Sequence, residues 1–289
     1  MSNNLYLRKL TLTSLGQETG FLLGQKLTCY SNSYPFKVFP AKELSSLSFA
    51  PITVLYGGNG SGKTTLLNII AEKAKLIRHS AFSGSAFFQE YVDLCSLDAM
   101  QIPAGSQILT SDDVSDYLLN IRHLNDGIDA RRDELLDDYT DRKYKDLRFT
   151  SLADYDSWKE GYDAKRKTKS AFVKERLMRN VDMHSNGETA MKYYVDRITE
   201  DALYLIDEPE NSLSAKLQMD LVEFIAISAR YSGCQFVIST HSPFLLSLPG
   251  AKIYDLDSFP VQERKWTELE NVRIYYDFFM KHQHEFEEG

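Results

Sequence analysis

The chain has 289 residues, 43% hydrophobic and 26% charged, with a formal net charge of -8. That composition describes a globular protein with a substantial core and excludes a chain coated in positive charge for nucleic acid, though not a local basic patch. No apolar run nears the ~20 residues of a membrane span, residues 1–12 lack a secretion signal, and three scattered cysteines (Cys29, Cys95, Cys234) fit a reducing cytoplasm better than a disulfide framework or zinc site.

In chain order, residues 5–12 alternate and predict a strand. Phe21-Leu22-Leu23 and Leu27-Thr28-Cys29-Tyr30 extend the expectation to an antiparallel sheet, and residues 31–48, with Pro35 and Pro40, read as loop. Ile52-Thr53-Val54-Leu55-Tyr56 is a buried-strand run. Gly57-Gly58-Asn59-Gly60-Ser61-Gly62-Lys63-Thr64-Thr65 follows it, and then a helix carrying Leu66, Leu67, Ile69 and Ile70. Strand, G-x-x-x-x-G-K-[ST] and helix together make a phosphate-binding loop. Its glycines turn backbone N–H groups toward one point, and the helix behind adds its positive end. Lys63 is expected on the β- and γ-phosphates of ATP, and the Thr64 hydroxyl on Mg²⁺. Tyr6 or Tyr30 would stack on the adenine or, as tyrosines on half-buried strands more often do, only pack.

Gln89 follows Phe87-Phe88. It is either a surface glutamine, the commoner case, or a strand-end ligand to Mg²⁺ and the attacking water. From residue 110 to 180 glycine is scarce, and Val114, Leu118, Ile121, Leu124 and Ile128 recur at helical spacing. Two or three helices are expected there, as an arm inserted into an α/β core. Its first half is acidic and its second basic, through Arg142, Lys145, Arg148 and then Lys165, Arg166, Lys167 and Lys169. A solvated, salt-bridged helix pair ranks ahead of contact between Lys165–Lys169 and DNA or an acidic partner.

Ser185-Asn186-Gly187-Glu188 opens another helix, either as a plain cap or as a second anion-binding terminus. Residues 202–206 form a buried strand ending in Asp207-Glu208-Pro209-Glu210. Asp207 is expected to hold Mg²⁺, and Glu208 to polarise the attacking water. A helix over 215–230 presents Leu217, Leu221, Phe224, Ile225 and Ile227 as its core face. Residues 234–239 are a third core strand, ending in Thr240-His241-Ser242-Pro243. His241 there can reach the γ-phosphate, since α/β sheets bind ligands outside their strands' carboxyl ends. Residues 252–256 form a last core strand. Residues 266–286 form a C-terminal helix whose aromatic groups predict packing on the core or on a second subunit.

With phosphate loop, Ser-x-Gly-Glu, strand–Asp–Glu and Thr-His in this order, the chain resembles the ABC ATPase superfamily. Asp207-Glu208-Pro209-Glu210 with Leu213, and Thr240-His241-Ser242-Pro243 with Leu245-Leu246, look like its stand-alone ATPases akin to RecF, SMC and OLD-type proteins. The resemblance implies a P-loop NTPase of α/β class: an ABC-type head, an N-terminal antiparallel sheet and an inserted helical arm. Its parts would be 1–109 (sheet and P-loop), 110–180 (arm), 181–256 (signature, Walker B, switch histidine) and 257–289 (C-terminal helix). It implies a Mg²⁺-dependent cytoplasmic ATPase that works as a head-to-tail homodimer, each ATP lying between one P-loop and the partner's Ser185–Glu188 helix. DNA metabolism or phage defence through a protein partner, such as a separate nuclease, is the implied role. The alternative is the ATP-binding subunit of a membrane transporter. The short signature, and Ser214 where an Asp is usual, depart from the family pattern.

Overall fold

The computed structural model describes residues 5–25, 32–82, 84–144, 162, 165–180 and 185–287. Leu27-Thr28-Cys29-Tyr30, Lys145, Arg148 and residues 181–184 lie outside that description. Close contacts divide the chain into two units, Met1–Ser115 with Asn186–Gly289, and Asp116–Ser185.

The first unit is built on two sheets. The smaller is antiparallel, with β1 (Leu7–Thr11) between β2 (Ser46–Ser48) and β4 (Ser96–Ala99). Leu7 and Leu10 of β1 face the core while Arg8 and Lys9 face water, the pattern of a sheet wet on one side. Phe21-Leu22-Leu23 does not extend this sheet. It ends helix α1 (Leu15–Leu23), opened by a capping box in which Ser14 and Gln17 satisfy each other's backbone. The C-terminal strand of the sheet comes instead from β4, far along the chain.

The larger sheet has the order β5-β6-β7-β3-β8-β9. Its first five strands are parallel: β3 (Ile52–Tyr56), β5 (Gln107–Thr110), β6 (Leu203–Asp207), β7 (Gln235–Thr240) and β8 (Lys252–Asp255). Short β9 (Gln262–Glu263) closes one edge in antiparallel fashion. Every residue of β3, β6 and β7 is buried, as expected of central parallel strands covered on both faces. Helix α2 (Lys63–Ala74) leaves β3, and its Leu66, Leu67, Ile69 and Ile70 enter the main core. The Gln235 side chain joins the two sheets: its Oε1 accepts from the Leu7 N–H at 2.8 Å, and its Nε2 donates to the carbonyls of Leu7 and Ala50. Buried amides of this kind keep their cost low only when fully bonded.

Helix α3 (Phe88–Leu94) precedes β4, and α4 (Ser111–Tyr144) is one helix of 34 residues. In the second unit α4 and α5 (Lys169–Lys174) share a small core of Leu135, Tyr139, Phe172 and Val173. Intrahelical pairs such as Arg131–Glu134 and Arg142–Asp138 line the surface of α4, and Lys167 meets Glu175 at 2.7 Å.

In the first unit, α6 (Asn186–Arg197) packs against α7 (Ala215–Tyr231), whose core face is Leu221 and Ile225, with Ile227 half exposed. After the short α8 (Pro243–Leu246) and the β8–β9 hairpin comes α9 (Glu270–Lys281). The expected burial of this tail is confined to Leu269 and Val272. Ile274, Tyr275, Phe278 and Phe279 are 45–59% exposed.

Candidate functional site

The site forms where β3, β7 and β6 end side by side. Gly60 and Gly62 take left-handed φ angles of 81° and 103°, which swing the loop around a centre and start α2 with no side-chain cap on its first N–H groups. Those groups are open to an anion. The Ser61 hydroxyl is buried without a hydrogen-bond partner among the described residues. Lys63 is 4% exposed; its Nζ donates to the Gly57 and Gly58 carbonyls at 2.7 and 3.1 Å and pairs with Glu208 Oε1 at 3.3 Å. Lys42 Nζ fastens the loop to the end of β8, donating to the carbonyls of Ser61 and Leu256, and Asp257 accepts from the Gly58 N–H.

Asp207 ends β6. Its Oδ1 accepts from Thr64 Oγ1 at 3.2 Å and from the Ser239 hydroxyl. Burial raises its pKa above the ordinary carboxylate value; hydrogen bonds from Ser239 and Thr64 oppose that rise, and the Glu208 charge adds to it. Glu208 follows at φ 45° and ψ 56°, a conformation that costs a non-glycine residue energy. Its N–H is held by the carbonyl and hydroxyl of Ser239 at 3.0 and 3.3 Å. This turn aims the carboxylate at Lys63 and at His241 Nδ1, 3.9 Å away. Thr64 and Asp207 offer two oxygen donors 3.2 Å apart, a set that suits a hard cation such as Mg²⁺.

Lys63, Thr64, Asp207, Glu208 and His241 are thus neighbours. Asn59, Gly60, Ser61 and Gly62 frame the loop, and the Thr65 hydroxyl bonds Tyr34. Gln89 is not among them. It lies exposed on α3, where its amide donates to Asp93 one turn on. The strand end beside Asp207 carries Thr110 instead. A helical period over 88–94 outweighs the strand assigned there from two aromatics. Asn186, Gly187 and Glu188 form the first turn of α6, directly after Ser185. Gly187 faces Leu217 of α7 so closely that an added Cβ would lie 2.8 Å from Leu217 Cδ1. Tyr6 instead donates to the Gly233 carbonyl, and Tyr30 lies outside the described residues. Ser239, Glu210, Lys42, Asp257 and Tyr34 escaped the sequence reading, because each reaches the site only through tertiary neighbours.

Residues 182–247 match the family described as "AAA domain, putative AbiEii toxin, Type IV TA system". No curated protein matches the chain in sequence. Among solved structures, the SMC head domain with an extended coiled coil from Pyrococcus furiosus is 12% identical, over 94% of this chain and 99% of that one, at a TM-score of 0.43. The SMC head domain from Thermotoga maritima is 12% identical over 87% and 94%, at 0.37. A structure described as "an inward-facing conformation of a putative metal-chelate type ABC transporter" is 15% identical over 93% and 89%, at 0.42. Among the described residues no helix is long and apolar enough to cross a membrane. The match over 182–247 takes in the strand–Asp–Glu and Thr-His segments, and their strands share one sheet with the phosphate-loop strand.

Proposed function

We propose that the protein hydrolyses ATP to ADP and phosphate, and that ATP closes two copies head to tail. The observation that supports this reading is the meeting of Lys63, Thr64, Asp207, Glu208 and His241 at the carboxyl ends of three adjacent parallel strands. The loop N–H groups and Lys63 bind the β- and γ-phosphates. Thr64 and Asp207 would hold Mg²⁺, which when bound neutralises charge on those phosphates. Glu208 orients the attacking water and accepts its proton, and His241 donates to the γ-phosphate. The outer side of that phosphate is then left to Ser185, Asn186, Gly187 and Glu188 of a second copy, a helix terminus that completes the charge cage. Hydrolysis releases the pair.

The nucleotide-gated pair is proposed to act as a switch in DNA metabolism or phage defence, through a protein partner such as a nuclease. Direct DNA contact, where it occurs, would fall to Lys165–Lys169. Phosphate release with Mg²⁺ and ATP, and sizing of Glu208→Gln with and without ATP, test the proposal together. An ATP-dependent dimer of Glu208→Gln supports it. A chain that binds no ATP overturns it, and a variant that stays monomeric with ATP bound removes the gating. Reversing the charges of Lys165–Lys169 should abolish any DNA-stimulated turnover; absence of a DNA effect at low salt counts against direct contact.

A further inference from the structure

Glu210 lies beyond the two carboxylates already assigned, in the short turn Pro209–Ser212. Its side chain is 6% exposed, and its Oε2 is buried without a hydrogen-bond partner among the described residues. A carboxylate so removed from water persists only if other groups meet it. Its Oε1 accepts from Thr240 Oγ1 at 2.7 Å and from the His241 N–H at 2.8 Å, and lies 3.2 Å from His241 Nδ1. Among the described residues the His241 ring is the one basic group paired with it. The ring itself is 46% exposed, so one side is held by a buried acid and the other opens outward. Thr240 continues the arrangement by accepting from the Ser242 N–H at 3.0 Å.

We infer that Glu210 is a positioning residue for His241, and the inference rests on the ATPase reading above. By holding both the backbone at 240–241 and ring Nδ1, which also lies 3.9 Å from Glu208, it leaves Nε2 as the ring nitrogen with no carboxylate beside it among the described residues, the one proposed to act on the γ-phosphate. The logic is that of any histidine whose one nitrogen is engaged by a carboxylate so that the other does the chemistry. Glu210 acts on the reaction through His241, by way of its backbone N–H and its ring.

Glu210→Gln is nearly the same size and keeps an oxygen for Thr240 and the His241 N–H, but offers the ring no charge. It should lower kcat at least about tenfold with KM changed by less than about twofold. His241→Ala should lose as much, and the double variant should be no slower than His241→Ala alone. A second readout needs no turnover. In ¹⁵N-histidine spectra of the full chain, with His241 identified by its loss in His241→Ala, Nδ1 should be protonated, and Glu210→Gln should change that signature. Losses that multiply in the double variant, an unprotonated Nδ1 in the parent, or a signature indifferent to Glu210→Gln would each overturn the inference. A parent that hydrolyses no ATP overturns the reading beneath it, and the spectra then decide the ring's orientation on their own.

Discussion

Lys63 Nζ stands 3.3 Å from Glu208 Oε1, so the buried amine of the phosphate loop and the half-buried carboxylate assigned to the water are partners in one pair. A triphosphate entering the loop meets that carboxylate as a like charge and competes with it for the amine. Glu208→Gln removes the repulsion and frees the amine. It should tighten ATP binding by at least about threefold in a nucleotide titration at low salt. Phosphate release should fall about 10²–10³-fold. Weaker ATP binding in this variant would mean that Glu208 holds the site together rather than opposing the nucleotide.

Asp207 links stability to pH. Burial, the largest influence, lifts its carboxyl above the ordinary value of 3.8. A carboxyl raised in the folded state favours folding while protonated. That contribution is complete below the unfolded pKa and is lost as pH rises through the folded one. At pH 7 the charged Asp207 therefore costs stability. Asp207→Asn should raise the Tm at pH 7 by roughly 2–4 °C, the shift about 1 kcal/mol gives in a chain of this size. The gain should shrink as pH falls toward 3.8, where wild-type Asp207 is already protonated. Calorimetry across pH 4–8, in EDTA and without nucleotide, measures both. A gain that grows as pH falls would reverse the assignment.

Ser239 bonds Asp207 with its hydroxyl while its carbonyl and hydroxyl hold the N–H of Glu208 in a left-handed turn. Ser239→Ala keeps the carbonyl contact, deprives Asp207 of a buried donor and loosens the strained turn. It should cost roughly 1–3 kcal/mol in denaturant unfolding, with kcat reduced more than ATP affinity. Equal losses in kcat and affinity would show that the residue serves the fold alone.

What could be read from the sequence, and what could not, divides along a physical line. Strands β3, β6 and β7 are continuous apolar runs buried on both faces, and the phosphate loop is a local motif, so both were legible. Phe21-Leu22-Leu23 is too short to show a period, and the Ser14/Gln17 capping box upstream was the sign that it closes a helix. Gln89 is the surface glutamine that ranked first in sequence; the alternative of a strand-end ligand rested on its aromatic neighbours, and α3 turns it into solvent. The aromatics of α9 were expected on the core or on a second subunit; within the chain only Leu269 and Val272 beside them are buried. Glu210 and Ser239 gain their roles from residues about thirty positions away on an adjacent strand, a separation that no local pattern records.

Gly187 offers a test that separates the signature turn from the nucleotide loop. A Cβ there would meet Leu217 Cδ1 at 2.8 Å, but that atom is the tip of a flexible side chain and can swing aside. Alanine also favours the helix over glycine by up to about 1 kcal/mol. The two effects oppose each other, so Gly187→Ala should leave the Tm within about 3 °C of the parent. The displaced Leu217 tip and the added methyl would still alter the packing beneath the turn that carries Asn186 and Glu188. ATP binding by the single chain should therefore be unchanged, while the ATP-dependent dimer of Glu208→Gln should weaken at least about tenfold when Gly187→Ala is added, read by sedimentation. Loss of ATP binding in the single variant would place the turn in the same chain's nucleotide site. An unaltered dimer would remove it from the interface.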